Sequence, residues 1–310
     1  MRAAPGRWPG ARAAAIAAMF ACCLRARPVS AQENAPSPPI DSRAAQQDLP
    51  ANNDVYDGTE NTDVGLLQIE IGSQWTDVDA DSRSAGLPFT ARFGASAWLE
   101  LSVSADLLAR QSEPTGNVHG LGDTQVGGRV RLFGKAGGLP PLSVIPQLNL
   151  PTADAATGLG TGHVDPSLAL LSGRDFPHGS HVDVSCAAGA VGEGEGQGRF
   201  AQYAAALSGS LGVTPVWTPA LTIAWVSRQD ADTGEAWLLS ADSVFTASRR
   251  MAFDLSVQFG LTSEAPRLGV GGGLSFVLGG LDPEEGVHAR RHRLRFWARH
   301  RRTPRPPSHH

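Results

Sequence analysis

Between Gly65 and Gly280 apolar and polar positions alternate with a period of two, over segments of roughly 8 to 13 residues that suit tilted strands crossing a hydrocarbon layer. In the first segment Leu67, Ile69, Ile71 and Trp75 fall on one face and Gln68, Glu70, Gly72 and Gln74 on the other. From Asp123 to Leu132 the polar face is Asp123, Gln125, Arg129 and Arg131, opposite Val126, Val130 and Leu132. Phe253, Leu255, Val257 and Phe259 oppose Asp254, Ser256 and Gln258 in the same way. Counting such segments predicts about twelve strands, beginning near Leu67, Leu87, Trp98, Leu121, Leu142, Ser167, His181, Ala201, Leu221, Trp237, Ala252 and Leu268. Strands half apolar and half charged, in even number, predict an all-β fold: a single antiparallel transmembrane β-barrel with both ends of the wall at one rim.

The connections have a parity of their own. Those after odd strands (Asp77 to Gly86, Gln111 to Gly120, Thr152 to Val164, Gly192 to Arg199, Arg228 to Glu235) are longer and acidic, and those after even strands (Gly94 to Ala97, Gly134 to Leu139, Arg174 to Gly179, Thr214 to Pro219, Ala247 to Arg250) are shorter. A barrel inserted from one side has such short turns on that side and long loops on the other. Trp98, Phe133 and Trp217 fall near the short-turn ends and Trp75, Phe200 and Trp237 near the long-loop ends, as two aromatic girdles would. A soluble β-sandwich also alternates, with its apolar faces packed on each other, but explains this parity less well.

The ends are of different composition. Arg2, Arg7 and Arg12 precede the apolar run Ala13 to Leu24, and Val29-Ser30-Ala31 offers small residues for cleavage, so 1–31 is expected to be a secretory signal peptide. Cys22 and Cys23 follow Met19-Phe20-Ala21, a poor lipoprotein box. Residues 32–63, rich in Pro, Ala, Asn, Gln and Ser, read as a disordered leader. The barrel is expected over 64–280, and the Arg- and His-rich segment 281–310 as a disordered basic tail, either a solvated extension or a ligand for anionic lipid. Thirteen of the 26 basic residues lie in the signal and the tail, leaving 13 between them against 27 of the 30 acids. So acidic a body argues against a nucleic-acid partner. Cys186 is the one cysteine outside the signal segment, so no internal disulfide is available to the exported chain.

One stretch is more specific. Gly120-Leu-Gly122-Asp123 opens an amphipathic strand, and a second strand, Leu142 onward, ends in Leu150-Pro151-Thr152. The turn, the strand pair and this spacing resemble the outer-membrane β-barrel family named after the MetA pathway of phenol degradation, over roughly Gly65 to Leu278. The resemblance implies a bacterial outer-membrane, porin-like transporter that passes small, apolar or aromatic solutes. Its motif residues here are Gly120, Gly122, Asp123, Pro151 and Thr152. Gly273-Leu-Ser-Phe276-Val-Leu278 resembles the signal read by the barrel-assembly machinery, although it is internal. The expected partners are that machinery, outer-membrane lipid and lipopolysaccharide, and a small solute, with the chain a monomer.

The candidate chemistry lies on the polar face. Glu70, Arg92, Glu100, Asp106, Asp123, Arg129 and Arg131 come from four neighbouring strands and carry both signs, so they are expected to line the lumen, either as a selectivity surface or as a salt-bridge plug. Arg129 and Arg131 should meet Glu100 or Asp106 across the wall. A plugged lumen would make the chain a structural envelope barrel. A more distant alternative is a lipid hydrolase built on Ser167 with His163, Asp165 and His119. Asp77, Asp79 and Asp81 open like an EF-hand, but Ser82 and Pro88 replace the required Gly and Glu, so an acidic loop and no metal site is expected. Gly158, Gly160 and Gly162 read as a flexible loop, and Gly269, Gly271, Gly272 and Gly273 as a kink or close backbone approach where the barrel closes. Nothing calls for a catalytic residue or a cofactor.

Overall fold

In the computed structural model the described residues are 61–114, 116–133, 140–176, 179–192, 198–228, 234–248 and 250–279. The signal peptide, nearly all of the leader and the basic tail lie outside them. The rest forms thirteen strands: β1 (Leu67–Asp77), β2 (Arg83–Ser96), β3 (Leu99–Glu113), β4 (Gly116–Gly120), β5 (Thr124–Phe133), β6 (Leu142–Leu150), β7 (Asp165–Asp175), β8 (Ser180–Gly192), β9 (Arg199–Leu211), β10 (Trp217–Val226), β11 (Ala236–Ser248), β12 (Met251–Gly260) and β13 (Leu268–Leu278). Each pairs antiparallel with its neighbour in sequence, except that β5 adds to β3 below β4, and β13 returns to pair with β1 from Leu67↔Leu278 to Asp77↔Leu268. The sheet is therefore a closed wall of twelve positions, because β4 and β5 together occupy one.

That shared position corrects the sequence reading, which starts one strand near Leu121. The chain is interrupted at Leu121–Asp123, yet the Gly122 amide still donates to the Asp106 carbonyl at 2.9 Å, so the wall stays hydrogen-bonded across the break. Gly122 is needed there: a Cβ would lie 2.8 Å from the Asp106 Cβ. Two of the five predicted long connections are also shorter than expected. The β1–β2 turn spans only 78–82, and most of Gln111 to Gly120 is the β3–β4 hairpin. Polar residues continue the ladder beyond the alternating segment, because backbone pairing does not require an apolar face.

The faces fall as the alternation predicts. Gln68, Glu70 and Gly72 are buried toward the interior while Ile71 and Trp75 face out. Leu221 and Leu255 are each 60% exposed, and Leu101, Leu107, Phe253 and Val270 are exposed on the same outer surface. An apolar outside around a polar inside is the inverse of a sandwich, and it is stable only where the outer surface meets lipid. Trp75, Trp98, Phe133, Trp217 and Trp237 are on the outside, and Trp217 stacks on Phe245 with ring centroids 6.4 Å apart. Phe200 is a correction to the girdle. It is buried, in register with Val191, with the Arg228 guanidinium 5.9 Å from its ring centroid.

Two apolar patches fill part of the interior: Ile145, Ala169 and Leu171 on β6–β7, and Ala206, Ala224, Ala236 and Leu238 on β9–β11 with Ala265. At the seam Gly269, Gly271 and Gly273 share the inward face of β13, opposite Thr76, Gln74 and Gly72. What they approach is chiefly side chains of β12: a Cβ on Gly271 would lie 2.7 Å from Ser256 Oγ. The glycines make room inside the lumen at the closure.

Leu221 sits in the middle of β10 on the outer face. Leu221→Arg is expected to lower folding stability in vesicles by about 2–4 kcal/mol, read as a lower urea midpoint of the heat-modifiable band; an unchanged midpoint would mean that this face is not in lipid.

Candidate functional site

The polar face of β1, β2, β3 and β5 converges near the rim that holds both ends of the wall, here the terminal rim. The register sets Gln68 opposite Arg92, Gly94 opposite Glu100, and Glu100 opposite Arg129. Arg92 Nε lies 3.3 Å from Glu70 Oε1 and its Nη1 3.7 Å from Glu100 Oε1. Gln68 Nε2 donates to Glu70 Oε1 at 2.7 Å. Glu70, Glu100 and Arg129 are each about 1% exposed. Charges so far from water persist only when paired, so these side chains hold one another in place and occupy the lumen at this level.

The chain before β1 adds to this closure. The Thr62 amide donates to Glu100 Oε2, Thr62 is 3% exposed, and Val64 makes a parallel bridge with Gly94. A Cβ on Gly94 would collide with the carbonyl oxygens of Thr62 and Asp63, so glycine is the residue that lets this segment lie across the wall. The sequence reading places 32–63 in a leader, and nothing in its composition marks Thr62 as a partner for Glu100. His181 stands at the same rim, its Nδ1 2.7 Å from Asp175 and its Nε2 2.9 Å from Asp183.

Toward the opposite rim the interior opens into a cavity of about 700 Å³. Asp106, Asp123, Gln125, Gln147, Asn149 and Asp165 give it a polar wall, and Ala187, Val191, Ala204, Val226 and Leu238 face it from β8 to β11. The family-like motif organises the polar side. Asp123 Oδ2 accepts from Asn149 Nδ2 at 3.0 Å and from the Thr161 amide at 2.9 Å, and its Oδ1 accepts from the Ala153 amide at 3.0 Å. Thr152 Oγ1 accepts from the Thr124 amide at 2.7 Å. The connection from 151 to 164 is thus folded onto the break between β4 and β5. Gly160 packs where a Cβ would lie 2.6 Å from Asp123 Oδ1, and Gly158 and Gly162 adopt φ of 77° and 69°. The glycines expected to make this loop flexible instead let it turn tightly and bind Asp123.

The seven candidate residues therefore separate into two groups. Glu70, Arg92, Glu100 and Arg129 cluster at the terminal rim, with Arg131 two residues further along β5, while Asp106 and Asp123 belong to the cavity. Arg129 is the register partner of Glu100, not of Asp106. The hydrolase constellation is not assembled: Ser167 Oγ lies 3.5 Å from Gln147 Oε1 and is in register with Gly189, whereas the His163 ring packs at Gly192. In the first turn Asp79 accepts from the Asp81 and Ser82 amides at 2.8 Å, which holds its carboxyl below the usual range, and Asp77 lies 3.5 Å from Arg83. Among the described residues no group of acids, histidines and cysteines is arranged to hold a metal.

These features define a transmembrane β-barrel with a partly filled lumen. Residues 52–278 match the family model described as "Putative MetA-pathway of phenol degradation", and the chain belongs to that family. No curated protein matches it. Among solved structures, the chain resembles an outer membrane channel from Pseudomonas putida F1 at 16% identity, over 71% of this chain and 98% of that one, with a TM-score of 0.59. The NanC porin is similar at 8% identity, over 68% and 98%, with a TM-score of 0.49. At this identity the likeness to the Pseudomonas putida channel speaks for the fold alone.

Two outcomes follow from the geometry. Arg92→Ala leaves Glu70 and Glu100 without their shared cation and should destabilise the barrel by about 3–5 kcal/mol, measured by urea titration, with partial recovery when Glu70→Gln is added. Asp123→Ala removes the acceptor of two backbone amides and a side-chain amide. Cleavage between 152 and 163 by an added protease should then rise on the order of 10- to 100-fold while the barrel stays folded.

Proposed function

We propose that the chain is a monomeric channel of the bacterial outer membrane for passive passage of small solutes, with the terminal rim in the periplasm. The cavity of about 700 Å³ inside a closed wall carries this reading. Its apolar side, Ala187, Val191, Ala204, Val226 and Leu238, suits solutes with an apolar or aromatic body. Export by the signal peptide, insertion by the barrel-assembly machinery and a surround of lipid and lipopolysaccharide belong to the same reading, which the family membership and the apolar exterior support.

A second reading is favoured by one observation. The cluster of Glu70, Arg92, Glu100 and Arg129, with Thr62 laid across it, fills the periplasmic end, as in a structural barrel with a plugged lumen. Opening then requires that the segment at Thr62 and Asp63 leave Gly94. Planar-bilayer recording separates the two. The channel reading expects discrete conductance from the mature chain and a larger or longer-lived open state in Gly94→Leu, whose side chain occupies the place of Thr62 and Asp63. A folded wild type and variant that are both silent would establish the plugged barrel.

A further inference from the structure

The charged groups lining the cavity are all of one sign, and two of them have hydrogen-bonding capacity that the protein does not use. Asp106, Asp123 and Asp165 contribute carboxylates, and the described lining includes no Arg, Lys or His. Asp123 is accounted for by the loop it holds. Asp165 is not: it is 6% exposed, neither carboxylate oxygen accepts a hydrogen bond, and its one cation, Arg199 Nε, is 3.7 Å away and in a side chain 46% exposed. Asp106 has no hydrogen-bonding or ionic partner for its carboxylate among the described residues, and it stands between Gly86 and Gly122. These glycines leave space around the carboxylate and offer no side-chain donor.

Register places the two acids on one wall of the cavity, three strand spacings apart, about 14 Å. Asp165 pairs with Asn149, Asn149 with Gln125 and Gln125 with Ser104, two residues from Asp106 along β3. The facing wall from β8 to β11 is mainly apolar, with Ala187, Val191, Ala204, Val226 and Leu238 around a single amide, Gln202. A buried carboxylate without donors favours a ligand that brings positive charge and N–H groups, and an apolar wall opposite favours one whose remainder is hydrocarbon. We propose that this cavity is a binding site for small organic ammonium ions with an apolar body, and that such amphiphilic amines are the preferred solutes of the channel, the transport half of the statement resting on the channel reading above. The ammonium group sits at Asp106 with Gln125 beside it, Asp165 adds negative charge further along the same wall, and the hydrocarbon lies on the alanine and valine face.

Benzylammonium is the probe, with benzoate as the same body of opposite charge and potassium as the cation without a body. Titration calorimetry on the full mature chain in detergent, at neutral pH, should show saturable binding of benzylammonium, none of benzoate, and no displacement by equimolar potassium. Asp106→Asn should weaken binding about tenfold; this side chain has no partner to lose, so the variant keeps its fold. Adding Asp165→Asn should remove saturable binding. Reversal potentials across a planar bilayer under a gradient of benzylammonium chloride should show cation preference that falls in Asp106→Asn. Binding without conductance would sink the channel reading and leave the site standing. Conductance with equal passage of benzoate, or binding that survives both substitutions, would overturn the site and leave the channel. Displacement by potassium at equal strength would show that the apolar wall does nothing and would also overturn it.

Discussion

The rest of this structure depends on the pairing of β1 with β13. In hydrocarbon an unpaired N–H or C=O is costly, and an open sheet has two edges full of them; joining the first strand to the last removes both. The seam is a full ladder, eleven register pairs from Leu67↔Leu278 to Asp77↔Leu268. Once the wall is closed, period-two alternation forces one set of side chains into a confined interior, whether or not they are apolar. Glu70, Arg92, Glu100 and Arg129 are buried for this reason, and their mutual pairing follows from the burial.

Alternation made the wall legible. It located the strands and assigned Leu67, Ile69 and Ile71 to lipid and Glu70 to the interior, because each side-chain direction is set by position within one strand. It left Arg129 opposite either Glu100 or Asp106, and the register of β5 on β3, set through the intervening β4 hairpin, puts it at Glu100. What it missed depends on contacts remote in sequence. Thr62 reaches Glu100 across 38 positions, and Thr161 reaches Asp123 across the same distance, through backbone amides that carry no residue signature. Phe200 was assigned to the girdle by its residue type, although its parity on β9 sends it inward opposite Val191. The break at Leu121–Asp123 was hidden because Gly120-Leu-Gly122-Asp123 fits both the end of a strand and the start of one.

The family-like motif acquires a structural meaning from this break. Gly122 admits Asp106, Asp123 turns from the wall to hold Ala153 and Thr161, and Thr152 caps the start of β5 through the Thr124 amide. The spacing between Gly120 and Thr152 is that of a hairpin whose far end folds back on its own beginning. A polar wall and a shaped cavity result from one interruption, because the residues freed from the ladder become donors and acceptors for the loop above.

The register partnership of Leu67 and Leu278 also says something about the chain as a line. Its two ends leave the wall one strand spacing apart, about 5 Å. Joined there by a short linker, the polypeptide would be a ring, and the ring could be reopened at a hairpin of the opposite rim, such as the turn at 78–82, without changing a single rung of the ladder. The starting point of the sequence is therefore incidental to the wall, and the order in which its strands are delivered to the membrane is a matter of assembly, separate from the finished architecture.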